Sequence, residues 1–510
     1  MANNLKDVIW AICNDIRDGS SLNMSSAQPY MLGFMFYKFL SDKIYKTCVD
    51  LLRERTTYEN LVDKKELHEK VKTACIEKIG YFIEYSDSYK SVLEDCSTNN
   101  EFLADRLSKA FKNIQDSTIG TDSSKDFKGL FDDVKLNSNN LGENVEKMNE
   151  TLLYMLKSLD KDELSLNNMD NDALGDAYEY LIGKFASESG QKAGEFYTPA
   201  PVSTLLSKIA TNNIEQVKYI YDPTCGSASL LVKSIKELKR FGKLLGQEKS
   251  TETYNLARMN MFLHGIKYKD FIIENGNTLT DNKFEDYINK MDIVIANPPF
   301  STSWKPEEMI NDPRFSEYPK MAPKSTADFA FIQHMIYMLK PKGRLAVIVP
   351  HGILFRGNAE ASIRKYLVGY KKYLRAVIGL PTNMFFNASI PACILVFEKE
   401  ESDDSILFIE GSKEFVKNKN KNKMTDENVE KIFDTYKNKK EIDKFSKIIS
   451  LKEIEENEYN LNITRYIDTF EEEEEININD VNKELSIINI ELKKIEEEVK
   501  IMISDLIEVK

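Results

Sequence analysis

Histidine and tryptophan are scarce, with four and two residues in a chain of 510, and none of the six cysteines forms a CxxC pair. So little material remains for a histidine-based metal centre or a cysteine zinc site. Cysteines scattered as Cys13, Cys48, Cys75, Cys96, Cys225 and Cys393 point away from a disulfide scaffold and toward a reducing cytoplasm. No GxxxxGK followed by Ser or Thr is present, which disfavours a P-loop ATPase. No run of about 18 uncharged apolar residues occurs, so no membrane-spanning helix is expected. The opening MANNLKDVIW lacks the basic start and apolar run of a signal peptide, and a cytoplasmic location is expected. A basic surplus is missing too. Lysine and arginine total 69 against 82 aspartates and glutamates, for a net charge of −13. A protein that grips DNA alone usually carries such a surplus. If DNA is the ligand, either the average hides a basic face or a partner contributes the grip.

What is there describes a globular chain. Hydrophobic residues make up 42% and charged residues 30%, with length for about three domains. Residues 1–165 read as a helical N-terminal domain. Val8, Ile9, Ile12 and Ile16, and again Leu32, Phe36 and Leu40, recur at helical spacing. Residues 166–410 change texture. Short β-rich runs at Tyr219–Tyr221, Leu244–Gly246, Phe271–Ile273, Ile293–Ala296, Leu345–Val349, Ala376–Ile378 and Ile394–Phe397 alternate with helical stretches such as Leu230–Lys239 and Phe329–Leu339. That alternation predicts an α/β domain with a parallel sheet covered by helices on both faces. Ligands of such sheets bind beyond the carboxyl ends of the strands. Residues 411–510 are expected to form a helical tail. It holds the lysine- and asparagine-rich Lys417–Lys423, the acidic run Glu471–Glu475 and a sustained heptad: Val481, Leu485, Ile488, Leu492, Ile495, Val499, Met502, Leu506 and Val509. Such a stripe needs a partner helix, in cis or in trans.

Three strand ends carry chemistry. Asp222-Pro223-Thr224-Cys225-Gly226-Ser227-Ala228-Ser229 follows the first strand, and its small residues permit a tight turn close to a ligand. Glu248 ends the second strand, where an acid commonly accepts hydrogen bonds from ribose hydroxyls. Together they suggest an adenosine-containing ligand, and without GxGxxG, NAD is not the natural choice. Asn297-Pro298-Pro299-Phe300 follows the apolar strand Ile293–Ala296. The exocyclic amine of a base is a poor nucleophile, because its lone pair is delocalised into the ring. The Asn297 amide oxygen and the Pro298 carbonyl can accept its two N–H bonds and orient the amine. The prolines fix the turn, and Phe300 offers a face on which an extruded base can stack.

DPTCGSAS, GQE, GNTL and NPPF, in this order, resemble the motifs of amino-group DNA methyltransferases that use S-adenosylmethionine. Gly194-Glu195-Phe196-Tyr197-Thr198-Pro199 is similar to the segment that closes over the methionine end of that cofactor. More specifically, the chain resembles the methyltransferase (modification) subunit of type I restriction-modification systems. Supporting stretches are Ala177–Ile182, Ala327–Phe331, Val349–Gly352, Leu380–Phe385 and Tyr459–Tyr466. The resemblance implies a Rossmann-like methyltransferase domain between a helical N-terminal domain and a coiled-coil arm. It implies that Asp222, Thr224, Gly226 and Ser227 line the methionine and ribose side of the cofactor. Glu248 would hold the ribose hydroxyls, and Asn277 would lie near the adenine or the target pocket. Glu195, Phe196, Tyr197 and Thr198 would cover the methionine. Asn297, Pro298, Pro299 and Phe300 would form the target-base site. The implied reaction is N6-methylation of a flipped-out adenine in double-stranded DNA. A separate specificity subunit, typically one for two methyltransferase copies, would read the sequence, and a restriction/translocase subunit would join the full complex. Ala228 and Asn277 depart from the Gly and Asp common in the family. Alternatives are an N4-cytosine methyltransferase, a protein-glutamine methyltransferase and a non-catalytic scaffold with a degenerate cofactor fold. The family's N4-cytosine enzymes usually open the tetrad with Ser, and its protein-glutamine enzymes typically close it with Tyr.

Overall fold

The computed structural model describes residues 2–507 except 21, 54, 99, 162–163, 165–170, 189–197, 386–389, 401–403, 419–420 and 470–477. Met1–Ile467 form one compact unit and Asp468–Lys510 a second.

Among the described residues the first unit holds eleven strands: β1 (Gln216–Asp222), β2 (Arg240–Glu248), β3 (Phe271–Asn275), β4 (Met291–Ala296), β5 (Leu339–Pro350), β6 (Leu374–Gly379), β7 (Ala392–Glu398), β8 (Ser405–Ile409), β9 (Val416–Asn418), β10 (Lys421–Lys423) and β11 (Ser446–Ser450). Nine form one sheet in the order β11-β8-β6-β7-β5-β4-β1-β2-β3, and β9 pairs with β10 alone. The pairs from β3 through β5 are parallel, as is β6 with β8. β7 lies antiparallel between β5 and β6, and β11 closes the far edge antiparallel to β8. The seven expected strands all lie within β1 to β7. β8 to β11 were not foreseen, and residues 411–467, grouped by sequence with the helical tail, contain three of them.

Alternation along the strands explains the two cores. Ile293 and Ile295 of β4 face one apolar layer, and Val294 and Ala296 the other. In β5, Ala346 and Ile348 go one way while Leu345, Val347 and Val349 go the opposite way. A strand buried on both faces reads as a continuous apolar run, which is why these strands stood out in sequence. Helices Ala200–Thr211, Ser229–Lys236 and Thr251–Leu263 contribute to the first layer, and Asp328–Met338 and Asn358–Lys365 to the second.

The N-terminal helices, chiefly Ala2–Gly19, Met24–Leu52, Lys65–Ile79, Leu103–Asp116 and Val145–Leu159, extend the first layer. Arg258 ties them to the sheet domain. Its guanidinium Nη1 donates to the carbonyls of Lys125, Asp126 and Lys128 at 3.1, 3.0 and 2.9 Å, and the side chain is fully buried. In the second unit, helix Ile478–Ile507 leaves Leu485, Ile488, Leu492, Ile495 and Val499 about half exposed. No helix among the described residues is long and apolar enough to cross a membrane.

Candidate active site

β1 and β4 run parallel and adjacent, with Ile220 opposite Ile293 and Tyr221 opposite Val294. β2 and β3 continue the sheet on one side and β5 on the other. The crevice beyond the carboxyl ends of β1 and β4 is therefore the switch point of the sheet, where such folds bind ligands. Asp222 ends β1 and Asn297 follows β4 directly.

Asp222 is 1% exposed. Its Oδ1 accepts from the Thr224 N–H at 3.0 Å. Its Oδ2 and the Thr224 Oγ1 are buried with no hydrogen-bond partner. Burial pushes the Asp222 carboxyl up to about 8; the Thr224 N–H opposes this and the Glu248 charge adds to it. A buried acceptor without a donor costs about 1–3 kcal/mol, so this pair suits a ligand that brings N–H groups or positive charge. Gly226 turns at φ +55° and donates its N–H to Glu248 Oε2 at 3.1 Å, while Ser250 N–H donates to Oε1 at 2.8 Å. The turn after β1 and the acid ending β2 are thus bonded to each other. Burial raises the Glu248 carboxyl, and those backbone donors counter it. Each carboxylate oxygen keeps a second lone-pair direction for a hydroxyl.

Ala228 stands at φ +64° at the N-terminus of helix Ser229–Lys236 and is 0% exposed, packed in the first apolar layer. Its methyl therefore lines no open crevice. The family's glycine is explained by the left-handed backbone, which costs an alanine about 1–2 kcal/mol. Ser227 is held from behind: its carbonyl accepts from Asn260 Nδ2 at 2.9 Å, and Asn260 also donates to Glu179 Oε1 at 3.3 Å. Asp176, Glu179 and His264 place donor atoms within 4.8 Å of one another, but Lys236 already lies 3.2 Å from Asp176 and Lys233 lies 3.5 Å from Glu179. Asn277 caps its own turn, its Oδ1 accepting from Leu279 N–H at 3.2 Å.

Asn297 Nδ2 donates to Thr198 Oγ1 at 3.0 Å, and its Oδ1 is buried with no hydrogen-bond partner. Pro298 is buried, and Pro299 and Phe300 are half-buried. The Phe300 ring meets Phe385 edge to face, centroids 5.7 Å apart at 68°. The structure thus brings Thr198 to Asn297 across 99 residues of chain. Glu195, Phe196 and Tyr197 lie outside the described residues.

Two supports escaped the sequence reading. Asp328 accepts from Ser301 N–H at 2.8 Å and from Arg356 Nη1 at 2.8 Å, which clamps the chain leaving Phe300. Arg314, buried, donates to the carbonyls of Thr278 and Leu279 at 2.7 and 2.9 Å, which pins the turn that carries Asn277. Its Nη1 also donates to His334 Nδ1 at 3.1 Å, leaving His334 Nε2 to donate to the Tyr221 hydroxyl at 3.0 Å. Burial first, and the Arg314 charge second, hold His334 far below its ordinary pKa and therefore neutral. Asp328 sits in Ala327–Phe331, a stretch whose sequence suggests no role for it. Arg314, in Asp312-Pro313-Arg314-Phe315, carries only the signal of an arginine beside an aromatic residue.

This sheet order, with its ligand crevice at the β1/β4 switch point and the turn after β4, defines the class: a Rossmann-like methyltransferase. Residues 169–475 match the family model for N-6 DNA methylase, and residues 5–159 match that for the HsdM N-terminal domain. The chain is 37% identical to the type I restriction enzyme MpnII methylase subunit of Mycoplasma pneumoniae, over 99% of this chain and 96% of that protein. It is 33% identical to the MjaVIII methylase subunit of Methanocaldococcus jannaschii, over 91% of this chain and 79% of that one. A crystal structure of a type I restriction-modification methyltransferase subunit from Streptococcus thermophilus matches with a TM-score of 0.84 at 39% identity, covering 92% of this chain and 100% of that one. The chain belongs to the N-6 DNA methylase family, among the methylase subunits of type I restriction-modification systems.

Proposed function

We propose that the chain methylates N6 of an adenine flipped out of double-stranded DNA, as the modification subunit of a complex whose sequence reading lies in a separate specificity subunit. The observation that carries this reading is the buried, unpartnered Asn297 Oδ1. With Nδ2 tied to Thr198, that oxygen is the acceptor left for one N–H of an exocyclic amine, and the Pro298 carbonyl takes the other. The two acceptors turn the amine's lone pair out of conjugation and aim it at an electrophile. Phe300, braced by Phe385, stacks on the base.

S-adenosylmethionine, when bound, supplies a methyl activated on a sulfonium. The residues present fit that group. Asp222 Oδ2 and Thr224 Oγ1 are buried acceptors that suit the methionine ammonium, and Glu248 keeps lone pairs for the ribose hydroxyls. Thr198, with Glu195, Phe196 and Tyr197, would close the methionine side. Asn277 would lie at the adenine side, its turn held by Arg314. The N6–methyl bond would form as the methyl–sulfonium bond breaks, leaving neutral S-adenosylhomocysteine, and the amine nitrogen, then cationic, would lose a proton to solvent. No side chain of this chain needs to form a covalent bond to the base. The acidic net charge fits a catalytic subunit whose hold on DNA is shared. The half-exposed stripe of helix Ile478–Ile507 would dock on helices of the specificity subunit. We place two such chains on each specificity subunit, with a restriction/translocase subunit joining the full complex in the cytoplasm.

The test is a base-resolution methylation map of genomic DNA with and without this gene. N6-methyladenine at one two-part asymmetric sequence, lost on deletion, supports the reading. N4-methylcytosine there instead would overturn the adenine assignment, and no difference, with the complex expressed, would favour a scaffold.

A further inference from the structure

Three loops leave the same edge of the sheet. β4 and β5 are parallel, β7 is antiparallel to both β5 and β6, and β6 and β8 are parallel, so the carboxyl ends of β4, β6 and β8 point one way. The loop after β4 holds Asn297–Phe300, that after β6 holds Leu380–Phe385, and that after β8 leads into the hairpin β9–β10. The hairpin is bonded to the middle loop. Asn422 Nδ2 donates to the Thr382 carbonyl at 2.8 Å, and Asn422 N–H donates to the Asn383 carbonyl at 3.3 Å. Two residues further on, Phe385 meets Phe300. The hairpin is therefore joined, bond by bond, to the aromatic ring of the target-base turn.

The hairpin is a strongly basic short segment of an acidic chain. Residues 416–424 hold Lys417, Lys419, Lys421 and Lys423 and no carboxylate. Lys417 pairs across the strands with Asn422, and Lys423 with Val416. Lys421 and Lys423 share one face, opposite to the Asn422 side chain that anchors the hairpin. Lys417 and Lys423 are exposed, and neither forms a salt bridge among the described residues. The neighbouring carboxylate Glu414 is taken by Lys431. A short two-stranded ribbon of lysines gains nothing from burial and is only marginally stable on its own, so its anchoring holds the charge in place beside the crevice.

We propose that the β9–β10 hairpin is a phosphate-binding finger, which grips the DNA backbone beside the extruded base. This rests on the reading of the chain as a DNA methyltransferase. Lysines contribute sequence-independent affinity, so the finger holds any duplex and leaves sequence choice to other surfaces. It also accounts for DNA binding by a chain of net charge −13 without a general basic face.

The test uses the full chain co-expressed with its specificity subunit and the variant K417Q/K421Q/K423Q. Affinity for a duplex lacking the recognition sequence is measured across salt concentrations, and S-adenosylmethionine affinity by calorimetry. The slope of log affinity on log salt should become shallower by about 0.9 for each phosphate that is no longer neutralised, up to about 2.7, with cofactor affinity unchanged. An unchanged slope overturns the proposal. So does parallel loss of cofactor binding, which would make the hairpin a structural brace. Failed assembly with the specificity subunit while DNA affinity persists would make it a protein interface and also overturns it. The single variant Asn422→Ala, which frees the anchor but keeps the lysines, should lower methylation more than the salt slope. A wild-type complex that binds DNA with the hairpin-dependent slope but transfers no methyl would remove the proposed reaction and leave the finger standing.

Discussion

Buried oxygens without partners mark both halves of the crevice. Asn297→Ala removes the acceptor proposed for the amine and should lower methyl transfer by on the order of 10²-fold or more, with cofactor affinity largely kept; single-turnover methylation and calorimetry separate the two. Loss of both together would contradict the assigned role. Asp222 makes a prediction about pH. Its carboxyl, raised to about 8 by burial, is protonated in the free protein at pH 7. An ammonium ligand favours the ionised form, so binding at pH 7 should expel close to one proton, visible as a dependence of binding heat on buffer ionisation enthalpy. Affinity should rise with pH up to about 8. Above that it should fall, as the ligand's α-amino group, with an ordinary pKa near 8, loses its own proton. For stability the sign is opposite. A carboxyl raised in the folded state favours folding while protonated, and that contribution fades as pH climbs from the ordinary aspartate range through about 8.

Elements are held in register by buried arginines acting on backbone carbonyls. Arg314 spans two carbonyls of the Asn277 turn and a neutral histidine under β1. Arg314→Gln cannot reach all three acceptors. It should destabilise the chain by about 3 kcal/mol and raise the dissociation constant for S-adenosylmethionine more than it lowers the maximal rate. Equal effects on both would indicate damage beyond that turn. Arg258 does the same between the N-terminal helices and helix Thr251–Leu263, with three carbonyls on one guanidinium nitrogen. Arg258→Ala should cost about 3 kcal/mol or more and split a single denaturant transition into two, as the helical region loosens from the sheet domain.

The whole molecule divides at Ile467, beyond which lies the helical arm. Its apolar residues, about half exposed at Leu485, Ile488, Leu492, Ile495 and Val499, need a partner. A chain ending at Ile467 should keep its melting temperature within about 2 °C and keep cofactor affinity, yet fail to co-elute with the specificity subunit on size exclusion. Co-elution of the shortened chain would assign docking to another surface.

Much of this architecture was legible in the sequence because the determinants are local. Strands β4 to β7 are buried on both faces over most of their length and therefore read as apolar runs, while β1 to β3 showed by their shorter apolar centres. Asp222, Glu248 and Asn297 sit directly at strand ends, so their placement follows once the strands are found. The heptad of the arm depends on spacing alone, and helix Ile478–Ile507 spans it up to Leu506, with Val509 outside the described residues. Other features were set only by tertiary structure. β8 is an apolar run like those of β4 to β7 and was passed over, whereas β11 is half exposed; their antiparallel pairing draws a segment grouped with the tail into the sheet. The lysine hairpin is polar apart from Val416, and its tie to the loop that carries Phe385 depends on one asparagine meeting two distant carbonyls. Thr198 reaches Asn297, and Arg314 reaches Thr278, across long separations. Periodicity reports which side chains leave water, and it determined the sheet, the crevice and the arm. Which buried polar atoms find partners and which stay open for a ligand depends on distances between remote segments, and that only the folded chain decided.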